Sequence, residues 1–269
     1  MKTVVITGSA RGLGFEMAKL FRASGLNVVI SDLNAERLKL AKKELSKIEG
    51  VGEVSSHICN VTSSKDITSL IKFAKKKYGN IDIWINNAGV NQPDKAIWEL
   101  SEEEIDIVLN VDLKGAVIGS KLIMEEMIKQ ESGAIYNIEG YGSNDAKMLG
   151  LSIYGTSKRA ITYFTEALAK ESEERNTGVI VGKLSPGIMI TDFITNSLGD
   201  KGKITLPEKT KKVYNILGDY PDVVAKFLVN GILNNTENNA KIEWLTTGKA
   251  AWRFMTAAFN KRDFFKEDK

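Results

Sequence analysis

A tyrosine and a lysine stand four residues apart in a segment whose apolar residues recur at helical spacing. Tyr154 and Lys158 are separated by Gly-Thr-Ser, and residues four apart lie on the same face of a helix. An ammonium beside a phenol stabilises the phenolate and lowers the pKa of the phenol, which is ~10 in a free tyrosine. The pair is therefore a candidate for acid-base chemistry, although the same spacing also arises by chance on many helices.

A glycine-rich turn follows the first apolar run of the chain. Gly8, Gly12 and Gly14 stand in Thr-Gly-Ser-Ala-Arg-Gly-Leu-Gly. A strand, a glycine turn and a helix N-terminus together present backbone N–H groups and a positive dipole end to a pyrophosphate. Asp32 follows at the end of the second apolar run. An acid at that place hydrogen-bonds the adenosine ribose and repels a 2′-phosphate, so the pattern predicts a dinucleotide site.

The composition excludes several other kinds of site. The 269 residues include one histidine, His57, and one cysteine, Cys59, too few for a Cys and His zinc site or an HExxH site, and we expect no metal. His57 lies in a strand-like run, which favours a structural histidine over a catalytic one. Basic and acidic residues number 37 and 34, which is too even for nucleic-acid binding.

The alternation of short β-branched runs with longer helical segments predicts the fold. This order is typical of an α/β protein, and we expect one Rossmann-type domain over residues 1–269, a doubly wound, seven-stranded parallel sheet with helices on both faces. The predicted strands are Thr3–Thr7, Asn27–Ser31, Glu53–Ile58, Ile81–Ile85, Ala134–Ile138, Val179–Leu184 and Ile242–Leu245. The predicted helices are Gly14–Ser24, Glu36–Ile48, Ser64–Tyr78, Glu102–Lys129 and Ile153–Arg175.

Two segments break the alternation. A polar, glycine-containing stretch predicts a mobile lid around residues 190–215. The tail, residues 249–269, interleaves six large apolar residues with basic ones. We expect a terminal helix that covers the core or a partner subunit; the alternatives are a membrane-surface helix and a cap over an apolar substrate.

No apolar run reaches the ~18 residues of a membrane span. We expect a cytoplasmic protein, since the sequence has one cysteine and no visible export signal.

Taken together, the motifs resemble the short-chain dehydrogenase/reductase family, whose glycine motif has the spacing found here. The resemblance extends to Asn-Asn-Ala-Gly at 86–89, Tyr-x-x-x-Lys at 154–158, and a Pro-Gly segment at 186–187 that is followed by Thr191. It implies an oxidoreductase that transfers hydride between a nicotinamide and a small-molecule carbonyl or secondary alcohol. It also implies a homodimer or homotetramer.

The resemblance assigns roles to residues. Tyr154 would be the acid-base, Lys158 would position the nicotinamide ribose, and Asn110 would hold a water of the proton relay. Asp32 favours NAD(H), whereas the basic residue Arg11 leaves NADP(H) as the alternative. The residues expected to bind the cofactor are Gly8, Ser9, Arg11, Gly12, Leu13, Gly14, Asp32, Leu33, Asn60, Val61, Asn87, Ala88, Gly89, Tyr154, Lys158, Pro186, Gly187, Ile188 and Thr191.

The segment after the fifth predicted strand departs from the family pattern. The family has Asn-x-Ser-Ser there, with a catalytic serine thirteen residues before the tyrosine. Counted forward from Asn137, the residue at the position of that serine is Gly140. Counted back thirteen residues from Tyr154, it is Tyr141. We favour Ser143 over Tyr141 as the hydroxyl that stabilises the developing alkoxide. The departure leaves open a second hypothesis, a cofactor-binding sensor or interaction protein without catalysis.

The same segment, Asn-Ile-Glu-Gly-Tyr-Gly-Ser, also resembles that of chlorophyll b reductases. Those enzymes typically use NADPH, whereas Asp32 favours NADH here, so their substrate is not carried over. A third hypothesis, a membrane-associated reductase of a large apolar carbonyl compound, depends on the tail.

Overall fold

One seven-stranded parallel sheet organises the chain. The computed structural model describes residues 1–190, 208–260 and 262–265. Within them the strand order is β3-β2-β1-β4-β5-β6-β7, which confirms the predicted Rossmann-type sheet. The strands are β1 (Thr3–Ile6), β2 (Asn27–Asp32), β3 (Val54–Ile58), β4 (Ile83–Asn86), β5 (Gly133–Ile138), β6 (Val179–Ser185) and β7 (Lys241–Glu243).

Helices connect the strands and cover both faces of the sheet. They are α1 (Gly12–Ala23), α2 (Ala35–Leu45), α3 (Ser64–Tyr78), α4 (Glu102–Val108), α5 (Ala116–Gln130), α6 (Ser152–Glu174), α7 (Glu208–Leu217), α8 (Pro221–Asn234) and α9 (Thr247–Met255). Short 3₁₀ turns occupy Ile97–Glu99 and Ala257–Phe259.

The strand order reverses beside β1. Ile6 of β1 pairs with Ile30 of β2 on one side and with Ile85 of β4 on the other. In doubly wound sheets the crevice at such a reversal, beyond the carboxyl ends of the strands, is where ligands bind. The glycine turn and the Asn-Asn-Ala-Gly turn leave β1 and β4 at that edge, so the fold brings both motifs to one crevice.

Two apolar layers hold the helices against the sheet. Successive side chains of a strand point to opposite faces; Val4 and Ile6 pack in the layer that contains Phe21 of α1. Val5 packs in the other layer, with Trp84 and α3, α5 and α6. The α6 backbone that carries Tyr154 therefore rests on a buried, close-packed face.

The helix predicted over Glu102–Lys129 is interrupted by a wider turn. Its start is as expected, since the Ser101 hydroxyl accepts from the Glu104 amide at 3.2 Å and the Glu104 carboxylate accepts from the Ser101 amide at 2.9 Å. Between α4 and α5, however, Leu109–Gly115 is a π-helical segment. Such segments change which side chains face inward and are frequent at functional sites.

The last third contains helices that the sequence analysis did not predict. The largest, α8, begins with Pro221 at its first turn and packs on α1 through Val224, Leu228 and Ile232, which are buried. The apolar spacing of four and the proline were the signals to find it. The predicted lid lies partly outside the described residues, since 191–207 are not among them, and α7 forms the part from Glu208.

The tail is attached through its basic residues. Arg253 and Arg262 both contact the buried carboxylate of Asp219, at 2.7 and 3.1 Å. Trp252, Met255 and Phe259 remain 63%, 70% and 86% exposed. In this chain these three side chains do not cover the core, so their covering by a partner subunit stays a prediction. None of the described helices is long and apolar enough to span a membrane.

Candidate active site

The glycine turn is shaped by close backbone approach. Gly8 and Gly12 have φ of 60° and 58°, a region that favours glycine. A Cβ on Gly8 would lie 2.6 Å from Ala88 Cα, and one on Gly14 would lie 2.5 Å from Asn87 Nδ2. The turn therefore packs directly on the Asn-Asn-Ala-Gly segment, which explains why both need small residues.

Side-chain hydrogen bonds fasten the two segments together. Asn87 Nδ2 donates to the carbonyls of Thr7 and Gly8, both at 2.9 Å. The Thr7 hydroxyl accepts from the amides of Asn87 and Ala88 at 3.0 and 3.1 Å. Asn86 instead points into the sheet and donates to Asn137 Oδ1 at 2.8 Å. Asn87 thus positions the turn from which a cofactor would be held.

The geometry fits a dinucleotide. A Cβ on Gly12 would meet no atom within 4 Å, and the side chain of Arg11, the N-cap residue, does not bond the first amides of α1. These amides and the helix dipole can receive a pyrophosphate. Asp32 stands at the end of β2, where Oδ1 accepts from the Asn34 amide at 2.9 Å. It is the residue that would meet the adenosine ribose.

Other predicted cofactor residues line the same edge. The Ser9 hydroxyl donates to the Ile6 carbonyl at 2.7 Å and accepts from the Ser31 amide, so it braces the turn against β2. Leu33 is exposed, and Asn60 Oδ1 accepts from the Thr62 amide at 3.0 Å.

The remaining predicted cofactor residues have different surroundings. Leu13 is buried in the core layer of α1. Val61 lies against Gly115, and Gly89 against the Asp112 carboxylate. Pro186, Gly187 and Ile188 follow β6, whereas Thr191 lies outside the described residues.

Tyr154 is positioned by an amide that the sequence analysis missed. It lies in the first turn of α6, where Gln92 Oε1 accepts from the amides of Ile153 and Tyr154 at 2.8 and 3.2 Å. Gln92 is itself buried. It therefore supplies the cap that α6 lacks in its own sequence, and holds the turn that carries the tyrosine.

The phenol of Tyr154 does not have the lowered pKa that its spacing from Lys158 suggested. Burial raises its pKa to about 12; Lys158 opposes this, and the charges of Asp112 and Tyr214 add to it. Lys158 Nζ lies 5.5 Å from the centre of the tyrosine ring. The expected proximity is present, but desolvation outweighs the attraction.

Lys158 forms a buried ion pair with an acid that the sequence analysis did not consider. Its ammonium lies 3.2 Å from Asp112 Oδ2, and the two side chains are 7% and 0% exposed. Asp112 Oδ1 also accepts from the Val90 amide at 2.7 Å. Asn110, two residues earlier in the π-helical segment, is half-buried. Asp112 is thus the residue of this segment that contacts Lys158. The role of Asn110 in holding a relay water stays a prediction.

Gly140 occupies the place beside the tyrosine hydroxyl. A Cβ on Gly140 would lie 2.4 Å from Tyr154 Oη. The Ser143 hydroxyl donates to the Lys158 carbonyl at 3.2 Å and accepts from the Gly140 amide at the same distance. The Tyr141 hydroxyl donates to the Lys147 carbonyl at 3.2 Å. Both candidate hydroxyls therefore bond backbone groups, and Ser143 fastens Gly140 to α6.

A second tyrosine reaches the site from α7. Tyr214 is close enough to Tyr154 for its charge to raise the pKa of that residue, and Tyr141 acts in the same way on Tyr214. From the sequence, this stretch is predicted to be part of a lid and not the helix α7. The polar residues of this stretch, among them Lys209, Lys211 and Lys212, left only a weak indication of a helix.

Comparison with known proteins agrees with this arrangement. The short chain dehydrogenase family model matches residues 2–201. The chain is 35% identical over 267 residues to chlorophyll(ide) b reductase NOL of Oryza sativa subsp. japonica, covering 96% of this chain and 76% of that protein. It is 33% identical over 215 residues to the 3-oxoacyl-[acyl-carrier-protein] reductase FabG of Thermotoga maritima, covering 78% and 80%. It spans about half, 54%, of the length of the rice protein NYC1, a probable chlorophyll(ide) b reductase.

Solved structures share the fold. Levodione reductase superposes with a TM-score of 0.80 at 23% identity, over 93% of this chain and 98% of that one. A metagenomic short-chain oxidoreductase in complex with NADP gives 0.71 at 21% identity, over 90% and 95%. At these identities the likeness concerns the fold.

Proposed function

Because the chain belongs to the short chain dehydrogenase family, a family of oxidoreductases that bind NAD(P), we propose that Tyr154 exchanges the proton as hydride passes between NAD(H) and a carbonyl or secondary alcohol carbon. The observation that carries this proposal is the buried pair of Tyr154 and Lys158 on α6. It lies beside the edge where the glycine turn can hold a dinucleotide. A sensor without catalysis would not need a buried phenol with a buried ammonium 5.5 Å from its ring centre.

The cofactor proposed is NADH. Asp32 ends β2 with one carboxylate oxygen bonded to the Asn34 amide, and a second negative charge there would be repelled. Arg11 is exposed at the start of α1 and could attract a 2′-phosphate instead. We give Asp32 more weight, since it acts at the ribose hydroxyls that distinguish the two cofactors.

The chain's own residues divide the remaining work. When bound, the nicotinamide supplies or accepts the hydride. Tyr154 would give its hydroxyl proton to the carbonyl oxygen in reduction and take it back in oxidation. Lys158 would stabilise the tyrosinate left behind. We assign Ser143 a positioning role, because its hydroxyl joins the Gly140 amide to the Lys158 carbonyl.

Isotope transfer tests the proposal. The purified chain is incubated with NADH deuterated at C4 and a panel of aldehydes and ketones, and the alcohols are analysed by mass spectrometry. We expect deuterium at the carbinol carbon of at least one product. If NADH binds but no member of the panel gives labelled alcohol, 3-oxoacyl thioesters and porphyrin aldehydes included, the sensor hypothesis would be favoured instead.

A second candidate concerns the substrate. Trp252, Met255 and Phe259 are exposed on the tail, which carries a net positive sequence charge, and aromatic and basic residues together favour membrane surfaces. Of two similar proteins, one is named a chlorophyll(ide) b reductase and the other a probable chlorophyll(ide) b reductase. These observations support a large apolar carbonyl compound that is met at an anionic membrane surface.

Vesicle binding tests this second candidate. Sedimentation with anionic phospholipid vesicles should deplete the wild-type chain from solution, and the double variant Trp252→Ser/Phe259→Ser should stay in solution. Trp98→Ser removes an exposed aromatic residue outside the tail, 85% exposed, and serves as the control. Equal sedimentation of all three proteins would refute a role for the tail.

We also propose that copies of the chain associate as a homodimer or homotetramer. Tyr163 on α6 and Ile128 on α5 are 75% and 45% exposed, which leaves apolar surface on the two helices that the family resemblance places at an interface. Light scattering of the purified chain tests this directly. A monomer mass at micromolar concentration would contradict it.

A further inference from the structure

The carboxylate of Asp112 is the negative charge nearest to the reacting pair. Its side chain is fully buried, and its Oδ2 lies 3.2 Å from the Lys158 ammonium. Apart from this ion pair, Oδ2 has no hydrogen-bond partner in the described part of the chain. A buried carboxylate without a cation would be strongly unfavourable. The position of Asp112 is therefore linked to the charge of Lys158.

The π-helical segment explains how an acid reaches this place. Leu109–Gly115 widens the helix between α4 and α5, and Asp112 lies at its centre. The other carboxylate oxygen accepts from the Val90 amide at 2.7 Å, next to the Asn-Asn-Ala-Gly turn. Each carboxylate oxygen thus has one partner: Oδ1 accepts from the Val90 amide, and Oδ2 forms the ion pair with Lys158 of α6. An amide side chain of the same shape lacks the charge and keeps one acceptor oxygen, which can accept from the Val90 amide or from the Lys158 ammonium but not from both.

The charged and titratable groups that face Tyr154 come from three elements. Lys158 is on its own helix, Asp112 on the π-helical segment and Tyr214 on α7. Lys158 is the one cation among these three, and its charge is offset by Asp112 at ion-pair distance. Asp112 therefore weakens the field that the ammonium produces at the phenol.

We propose that Asp112 is a positioning residue that offsets the charge of Lys158 and keeps Tyr154 protonated, which is the form of the site from which reduction of a carbonyl begins. The inference rests on the proposed function. In reduction, hydride adds to the carbonyl carbon while the Tyr154 O–H bond breaks and its proton passes to the carbonyl oxygen. Oxidation runs in reverse and must begin from tyrosinate.

The directions of the pKa shifts agree with this geometry. Burial raises the pKa of Tyr154 and opposes the charged form of Lys158, and the charge of Asp112 raises the pKa of both groups. Burial also raises the pKa of Asp112 itself, against which Lys158 and the Val90 amide stabilise the carboxylate. A phenol with a raised pKa is protonated at neutral pH and deprotonates only in strongly alkaline solution. Rates of oxidation should then rise with pH, whereas rates of reduction should stay level until the phenol loses its proton.

Replacing Asp112 with asparagine tests the inference. Asp112→Asn keeps the shape and removes the charge, so the Tyr154 phenol should ionise at a pH lower by about one unit or more. Asp106→Asn makes the same change at an exposed site on α4 and is the matched control. The readout is carbon-13 NMR of tyrosine Cζ in the cofactor-free protein, with the Tyr154 signal assigned by its loss in Tyr154→Phe.

The wild-type protein provides a second measurement should Asp112→Asn fail to fold. Its Tyr154 signal should remain that of a phenol beyond ~10, the value of a free tyrosine. Ionisation of Tyr154 below that value in the wild type would overturn the inference. So would an Asp112→Asn titration that coincides with those of the wild type and Asp106→Asn.

These results are separable from those on the proposed function. A lowered Tyr154 ionisation in Asp112→Asn supports the role of Asp112 even if deuterium transfer is never seen. Conversely, deuterium transfer with unchanged ionisation would leave the oxidoreductase in place and refute the inference. If a substrate is found, the alkaline rise of alcohol oxidation should move to lower pH by the same amount in Asp112→Asn.

Discussion

Replacing Gly140 with alanine should slow turnover by about a hundredfold, because it moves the Tyr154 hydroxyl. The new Cβ would lie 2.4 Å from Tyr154 Oη, 3.0 Å from Lys158 Cγ and 3.1 Å from Tyr154 Cζ. Carbon and oxygen atoms in contact lie about 3.4 Å apart or more, so the hydroxyl must shift by about 1 Å. A misplacement of this size in a reacting group costs about a hundredfold in rate.

The assay compares turnover with cofactor binding. NADH binding, measured by fluorescence, should change much less than turnover in Gly140→Ala, because the glycine turn that would hold the pyrophosphate is a separate segment. Gly248→Ala is the matched control, since no atom lies within 4 Å of its Cβ position. If Gly140→Ala kept its turnover within about threefold of the wild type, the Tyr154 hydroxyl would not need its place against Gly140, and the reasoning would fail.

Three further predictions concern the residues around the site. Asp32→Ala should raise the preference for NADPH over NADH by about tenfold or more, since juxtaposed like charges cost several kcal/mol; an unchanged ratio of kcat/KM values would rule out Asp32 as the discriminating residue. Gln92→Ala should lower the free energy of unfolding by about 1 to 3 kcal/mol, because the buried Tyr154 amide and the partly buried Ile153 amide lose their acceptor; urea denaturation measures this, and a value equal to that of the wild type would contradict it. Asp219→Asn should weaken the attachment of the tail, because Arg253 and Arg262 lose the carboxylate they share; faster proteolysis after Gly248 is expected, and a cleavage rate equal to that of the wild type would contradict it.

The local motifs could be predicted from the sequence because their chemistry depends on near neighbours. The glycine turn after β1 and the shared face of Tyr154 and Lys158 follow from residue type and spacing. The strands likewise follow from their β-branched runs. In each case the determining interaction lies within a few residues or in the common edge of a parallel sheet.

The features that could not be predicted from the sequence depend on contacts between segments that are distant along the chain. Asp112 reaches Lys158 only because a π-helical segment replaces the regular helix there, and periodicity assumes a regular helix. Gln92 bonds to α6 from 61 residues away. The pKa of Tyr154 depends on burial, which spacing does not reveal, so the sequence correctly predicts the neighbour but not the balance of effects.

The central claim is that Tyr154 moves the proton in an NAD(H)-dependent reaction, and one comparison tests it most directly. Tyr154→Phe and Tyr163→Phe each remove one hydroxyl from α6, the first buried and the second 75% exposed. With the carbonyl substrate identified by deuterium transfer, we predict that Tyr154→Phe loses turnover by about a hundredfold or more while its Kd for NADH and that of Tyr163→Phe match the wild type. Turnover by Tyr154→Phe equal to that of Tyr163→Phe would contradict the account.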